Sequence, residues 1–100
     1  MEIFWTRAAR QEIVAACDYI ARRNPRAAEM VEEHILEAVA RLADFPNMGR
    51  IGRVAGTREL VITRLPYIVI YSVGTRRITV LHVRHTAQAW PPATGEDDQP

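Results

Sequence analysis

Two imidazoles and a guanidinium crowd the end of one segment, RITVLHVRHTAQAW, residues 77–90: His82, Arg84 and His85. A metal site is one chemistry such residues could serve. On a helix, histidines three apart share a face, but on a strand they point to opposite faces. Zinc needs three or four protein ligands, and no second cysteine or suitable carboxylate lies nearby in sequence. No metal and no cofactor is expected. Nucleophilic catalysis fares no better, because Cys17 falls on an apolar helix face as a small packed residue. The loop GRIGRVAG, residues 49–56, is no phosphate cradle: it lacks the Gly-Lys-Ser/Thr ending and follows a helix. His34, on a second helix, reads as a surface or interface residue.

What remains is a set of Arg, His and Tyr on one sheet face and on the glycine-rich loop. Three readings are open. Arginine could stabilise the charge of a phosphorane-like intermediate while His or Tyr moves protons, which would be RNA cleavage. Arginine could instead contact an acidic protein or a phosphate backbone without chemistry. Or the histidine and tyrosine simply pair across strands.

The elements that carry these residues follow from the apolar spacing. EIFW (2–5) reads as a first strand, and Thr6 caps a helix running to about Arg22. Its apolar face is Ala9, Ile13, Ala16, Cys17 and Ile20. Asn24 and Pro25 open a second helix, with Ala28, Val31, Ile35, Ala38, Val39 and Leu42 on one face. The short connection makes the two helices an antiparallel hairpin. Residues 46–57, rich in glycine, form a loop. Three strands follow, at 58–63, 67–73 and 76–84. Gly74-Thr75 suits a two-residue turn with Gly first. That turn predicts a register in which Val73 faces Arg76, Tyr71 faces Ile78, Val69 faces Val80, Tyr67 faces His82 and Leu65 faces Arg84. Ile68, Ile70, Thr79, Leu81 and Val83 would then lie under the helices. Tyr67, Tyr71, His82 and Arg84 would mark the uncovered face. The order is β-α-α-β-β-β, an α+β fold with the N-terminal strand and helical hairpin on one face of an antiparallel sheet.

Net charge is +1 over 100 residues, and all 13 basic residues are arginine. Their placement is uneven. Residues 45–90 hold seven arginines against Glu59 alone, whereas Glu96, Asp97 and Asp98 make the end acidic. A basic second half favours an anionic partner, either nucleic acid or an acidic protein segment. One domain, 1–90, with a disordered acidic tail at 91–100, is the expected organisation. Cys17 alone permits no internal disulfide. Without a signal peptide or a run of about 20 apolar residues, the expectation is a cytoplasmic protein with no membrane association.

Four pieces, in order, resemble the RelE/ParE superfamily, the toxins of type II toxin–antitoxin modules. They are FWTRAARQEIVAACDYIARRNPRAAEMV, ARLADFPNMGRIGR, TRELVITRLPYIVIYSV and ITVLHVRHTAQAWP, together spanning about residues 3–90. The resemblance implies a growth inhibitor, of the kind used in plasmid stabilisation, silenced by a cognate antitoxin. That antitoxin would bind operator DNA through its own N-terminal part and fold a C-terminal segment onto the hairpin groove and exposed sheet face, as a helix in a groove or an added strand. Two targets are implied. ParE-like members inhibit DNA gyrase; RelE-like members cut messenger RNA on the ribosome.

The nucleases carry an arginine directly after the aromatic of the second sheet strand, where this chain has Ile68 after Tyr67. They also place basic and aromatic residues after the last strand, where this chain has Thr86, Ala87 and Gln88 after His85. These departures favour the ParE-like reading, a non-enzymatic gyrase inhibitor that contacts its target through Arg50, Arg53, Arg58, Arg64, Arg84 and His85. In the nuclease reading, Arg58, Arg64 or Arg84 holds a phosphate, and His82, His85 or Tyr67 is the acid or base.

Overall fold

The computed structural model of the chain describes residues 1–92. Strand β1 (Glu2–Trp5) leads into helix α1 (Arg7–Ala21) and helix α2 (Pro25–Ala40), with a 3-10 turn at Arg41–Ala43. Strands β2 (Arg50–Ile51), β3 (Arg58–Val61), β4 (Tyr67–Val73) and β5 (Arg77–His85) follow. The caps are those expected. Thr6 Oγ1 accepts from the Ala9 N–H at 3.1 Å, and Asn24 Oδ1 accepts from the Ala27 N–H at 3.1 Å. Each satisfies one N–H that the first helical turn leaves without a carbonyl.

The α+β order holds, with one addition and one change. The loop at 46–57 contains the short strand β2, and the sheet is mixed, in the order β1-β5-β4-β3-β2. β1 pairs parallel with β5, from Glu2 beside Arg77 to Trp5 beside Val80; the other neighbours are antiparallel. A parallel neighbour needs a crossover rather than a tight turn. Here the whole helical hairpin lies between the paired strands in sequence.

The expected β4–β5 register is corrected. Val73 faces Ile78, not Arg76, because the connection runs through Gly74, Thr75 and Arg76 and closes with the Gly74 N–H on the Arg77 carbonyl at 2.8 Å. A second shift follows: Tyr71 faces Val80 but Ile70 faces His82, so Leu81 is an extra residue, a bulge. Thereafter Val69 faces Val83, Ile68 faces Arg84 and Tyr67 faces His85. The helices cover the face of β4 opposite to the one expected, together with Ile78 and Val80 of β5; past the bulge Val83 lies under them as expected, and His82 and Arg84 lie on the other face. Tyr67, Val69 and Tyr71 join Ile78, Val80 and Val83 under the helices, against Ala9, Ile13, Cys17, Ile35 and Val39. Burying each large apolar side chain there contributes about 1.5–3 kcal/mol. Cys17 is buried as expected, and burial, with help from Glu32 and Asp18, pushes its thiol pKa up. Apart from Pro91 and Pro92, the expected acidic tail lies outside the described residues.

Candidate functional site

Two clusters hold the residues that the sequence singles out. The first organises the glycine-rich loop at the β2–β3 end of the sheet. The Glu59 side chain is 0% exposed. Its Oε1 accepts from Arg50 Nε at 3.2 Å and Nη2 at 2.9 Å, and its Oε2 accepts from the Arg53 backbone N–H at 2.9 Å. Burial alone would raise the Glu59 pKa. The Arg53 N–H, the Arg50 hydrogen bonds and both guanidinium charges outweigh it and hold the carboxyl below the usual glutamate value.

Beside it, the Tyr71 hydroxyl accepts from the Gly49 N–H and donates to the Pro46 carbonyl, both at 2.8 Å. A Cβ on Gly49 would lie 2.7 Å from that hydroxyl, which excludes any other residue there without movement. Arg58 Nη1 donates to the Gly49 carbonyl at 2.8 Å. The result is a rigid platform from which the Arg50 and Arg53 side chains, 53% and 60% exposed, face solvent. Arg64 is also exposed, in the β3–β4 connection, with a backbone φ of 66°.

The second cluster is the end of β5. Glu12, on α1, reaches the strand edge that β1 no longer covers. Its Oε1 accepts from the Val83 N–H at 3.1 Å and lies 3.1 Å from His82 Nδ1; its Oε2 is 3.8 Å from Arg84 Nη1. Trp90 folds back over the same residues. Its ring centre is 4.9 Å from that of His82 and 5.6 Å from the Arg84 guanidinium carbon. Arg84, expected on an uncovered face, is 6% exposed and donates from Nη2 to the Ala89 carbonyl at 3.0 Å. Tyr67, also expected there, is 8% exposed on the helix side, and burial, chiefly, raises its pKa. His85 packs edge-on against Tyr67 with ring centres 5.3 Å apart, and its Nδ1 accepts from the Ala87 N–H at 2.9 Å. His82 and His85 do lie on opposite faces. The described residues contain no group of three His, Cys, Asp or Glu able to hold a metal.

The model of the ParE toxin family of type II toxin–antitoxin systems, parDE, matches residues 3–90. The chain belongs to this family. Two curated proteins are similar to it. A putative toxin, Y4kP, of Sinorhizobium fredii is 40% identical over 89 residues, covering 89% of this chain and 92% of the relative. Toxin RelE2 of Caulobacter vibrioides is 32% identical over 87 residues, covering 87% and 97%. Among solved structures, a chain of the chromosomal ParDE toxin–antitoxin system from P. aeruginosa superposes with a TM-score of 0.77 at 27% identity, over 85% of this chain and 95% of that one.

Within this ParE-family fold, the predicted residues split into three groups, with Arg64 standing apart in the β3–β4 connection. Arg50, Arg53 and Arg58 come together around the loop, with Arg58 turned inward onto loop carbonyls. His82 and Arg84 meet on the outer sheet face, and Tyr67 and His85 meet on the inner one. Sequence reasoning missed Glu12, Glu59, Tyr71 and Trp90 as organisers. Glu59 had a signal: it is the one acidic residue among seven arginines in residues 45–90. Glu12 had none, because it lies 70 positions from His82. As a type II toxin, the chain has an antitoxin for its partner. No helix among the described residues is long and apolar enough to cross a membrane.

Proposed function

We propose that this toxin arrests growth by binding DNA gyrase in the cytoplasm, without cleaving a bond itself. What carries the reading is that the acid–base candidates are split between the two faces of the sheet, and the one pair that does meet an arginine, His82 with Arg84, is covered by Trp90. Tyr67 and His85 lie on the helix side of the sheet, whereas His82 and Arg84 lie on the other side beneath Trp90. A general acid or base must come within about 3 Å of the proton it moves, beside the group that holds the phosphate. The exposed guanidiniums of Arg50, Arg53 and Arg64 instead suit carboxylate or phosphate contacts on a partner surface. The ParDE structural neighbour supports the ParE-like side of the superfamily. Residues 1–90 act as the toxin domain.

The antitoxin surface follows from the open edge of β3. Ile62 donates its N–H to the Tyr67 carbonyl at 3.0 Å. Backbone groups alternate in direction along an antiparallel strand, so Val61 aims its N–H and carbonyl away from β4. β2 covers only Arg58 and Glu59. Beyond it lies a groove of about 350 Å³ whose lining includes His34, Ala38, Arg41, Met48, Val61 and Thr63. An extended, acidic antitoxin segment adds a strand there, with main-chain bonds for affinity and Arg41 and Arg50 for charge. Expression of the toxin alone should stop growth with cell filamentation, and co-expression of the adjacent gene should restore it. Rapid loss of protein synthesis without filamentation would favour the ribosome and mRNA cleavage.

A further inference from the structure

The outer face of the sheet is closed by a segment that neither helix explains. Ile68 and Ile70 lie outside the core beneath the helices, yet they are only 7% and 0% exposed. Their cross-strand partners are Arg84 and His82, the two residues that Trp90 covers. The chain after β5 therefore turns back across this face. It is pinned by Arg84 Nη2 on the Ala89 carbonyl and by Arg53 Nη1 on the Trp90 carbonyl, each at 3.0 Å.

The seam is incompletely satisfied. Arg84 Nε and Trp90 Nε1 are both buried without a hydrogen-bond partner among the described residues. A buried donor without an acceptor penalises the state that buries it. The floor beneath is better satisfied. Glu12 holds the Val83 N–H and His82 Nδ1, and Thr6 Oγ1 donates to the Leu81 carbonyl at 3.1 Å. The crossing segment can thus lift while β5 keeps these edge bonds. Lifting it would bare Ile68, Ile70 and the Trp90 ring to water, so the open form is a minor one.

We propose that residues 89–92 are a guard strap: closed, it covers Arg84 and part of His82; open, it presents them to a partner, and growth arrest draws on the open form. This rests on the toxin reading, and the experiment separates the two. The full chain labelled with 5-fluorotryptophan gives two fluorine signals, from Trp5 and Trp90. Saturation transfer should find Trp90, and not Trp5, exchanging with a solvent-like state populated at about 0.1–10%.

Trp90→Phe keeps an aromatic ring but removes the orphan N–H. It should raise the melting temperature and weaken growth arrest by roughly tenfold, because apparent affinity scales with the competent fraction. Trp90→Ala, with the Trp5 signal reporting that the fold persists, should arrest growth at least as well as the unsubstituted chain. Opposite signs in the two variants mark a guard; a residue that contacts the partner loses activity in both. The strap is overturned if Trp90→Phe lowers the melting temperature, if Trp90 shows no exchange, or if both variants lose arrest alike. A chain that exchanges at Trp90 but never arrests growth would keep the strap and sink the toxin reading.

Discussion

Beyond the end of β1, the free edge of β5 has its polar groups taken by side chains. Thr6 holds the Leu81 carbonyl, Glu12 the Val83 N–H and Gln88 the His85 N–H. Beyond the end of β2, the edge of β3 has no such guard among the described residues: Val61, 51% exposed, aims its backbone into a groove flanked by arginines. An unprotected edge invites another chain, and proteins usually block edges that have no partner. The blocked edge therefore reads as self-protection and the open one as a docking site. Arginine around the open edge also discourages pairing with a second copy, because like charges would face each other.

The largest effect should come from unblocking the guarded edge. Glu12→Ala leaves the Val83 N–H without its acceptor and Arg84 buried without its counter-charge. We expect a loss of about 2–3 kcal/mol in urea unfolding, set by one orphaned strand donor and one uncompensated buried charge. A change under about 0.5 kcal/mol, the range of ordinary surface substitutions, would mean that the edge is not closed by Glu12.

Tyr71→Phe should come next, at about 1–2 kcal/mol, by leaving the Gly49 N–H and Pro46 carbonyl unpaired. It should also speed amide exchange at Gly49, since that contact carries the chain away from β3 and leaves the edge open. At that edge itself, Val61→Pro removes an N–H that no described backbone group uses. Stability should change little, as proline is tolerated on edge strands. Antitoxin affinity by calorimetry should fall about tenfold, near 1.4 kcal/mol. Unchanged affinity would move the antitoxin elsewhere.

The smallest effect at neutral pH concerns Glu59. Its folded pKa lies below that of an unfolded glutamate, about 4.3. Its contribution is therefore complete above that value and lost as pH falls through the lower, folded one. The gap in urea midpoint between the unsubstituted chain and Glu59→Gln should narrow in that acid range and stay flat from pH 6 to 8.

Much of this frame was legible in the sequence because it is local. Thr6, Asn24 and Pro25 announce helix starts through bonds three residues away, and one apolar face per helix is a matter of spacing. The four family-like pieces carried the superfamily. The face of the sheet was not legible. Period two holds only while the ladder is regular, and the bulge at Leu81 and the longer turn after Val73 moved the partner of His82 from Tyr67 to Ile70. Nor does spacing say which face the helices cover: they pack on Tyr67, Val69 and Tyr71, so both tyrosines are core residues. Long-range contacts were equally hidden: nothing near His82 in sequence points to Glu12, and a C-terminal Trp gives no sign of which face it covers.

One assay bears on the central claim that the arginine-rich toxin works by binding. Purified toxin is added to gyrase on relaxed plasmid and, in parallel, to translating ribosomes. The account predicts inhibited supercoiling with accumulation of cleaved DNA complexes, lost on substituting Arg50 and Arg53 together, and intact messenger RNA. Cut messenger RNA on the ribosome with undisturbed supercoiling would contradict it.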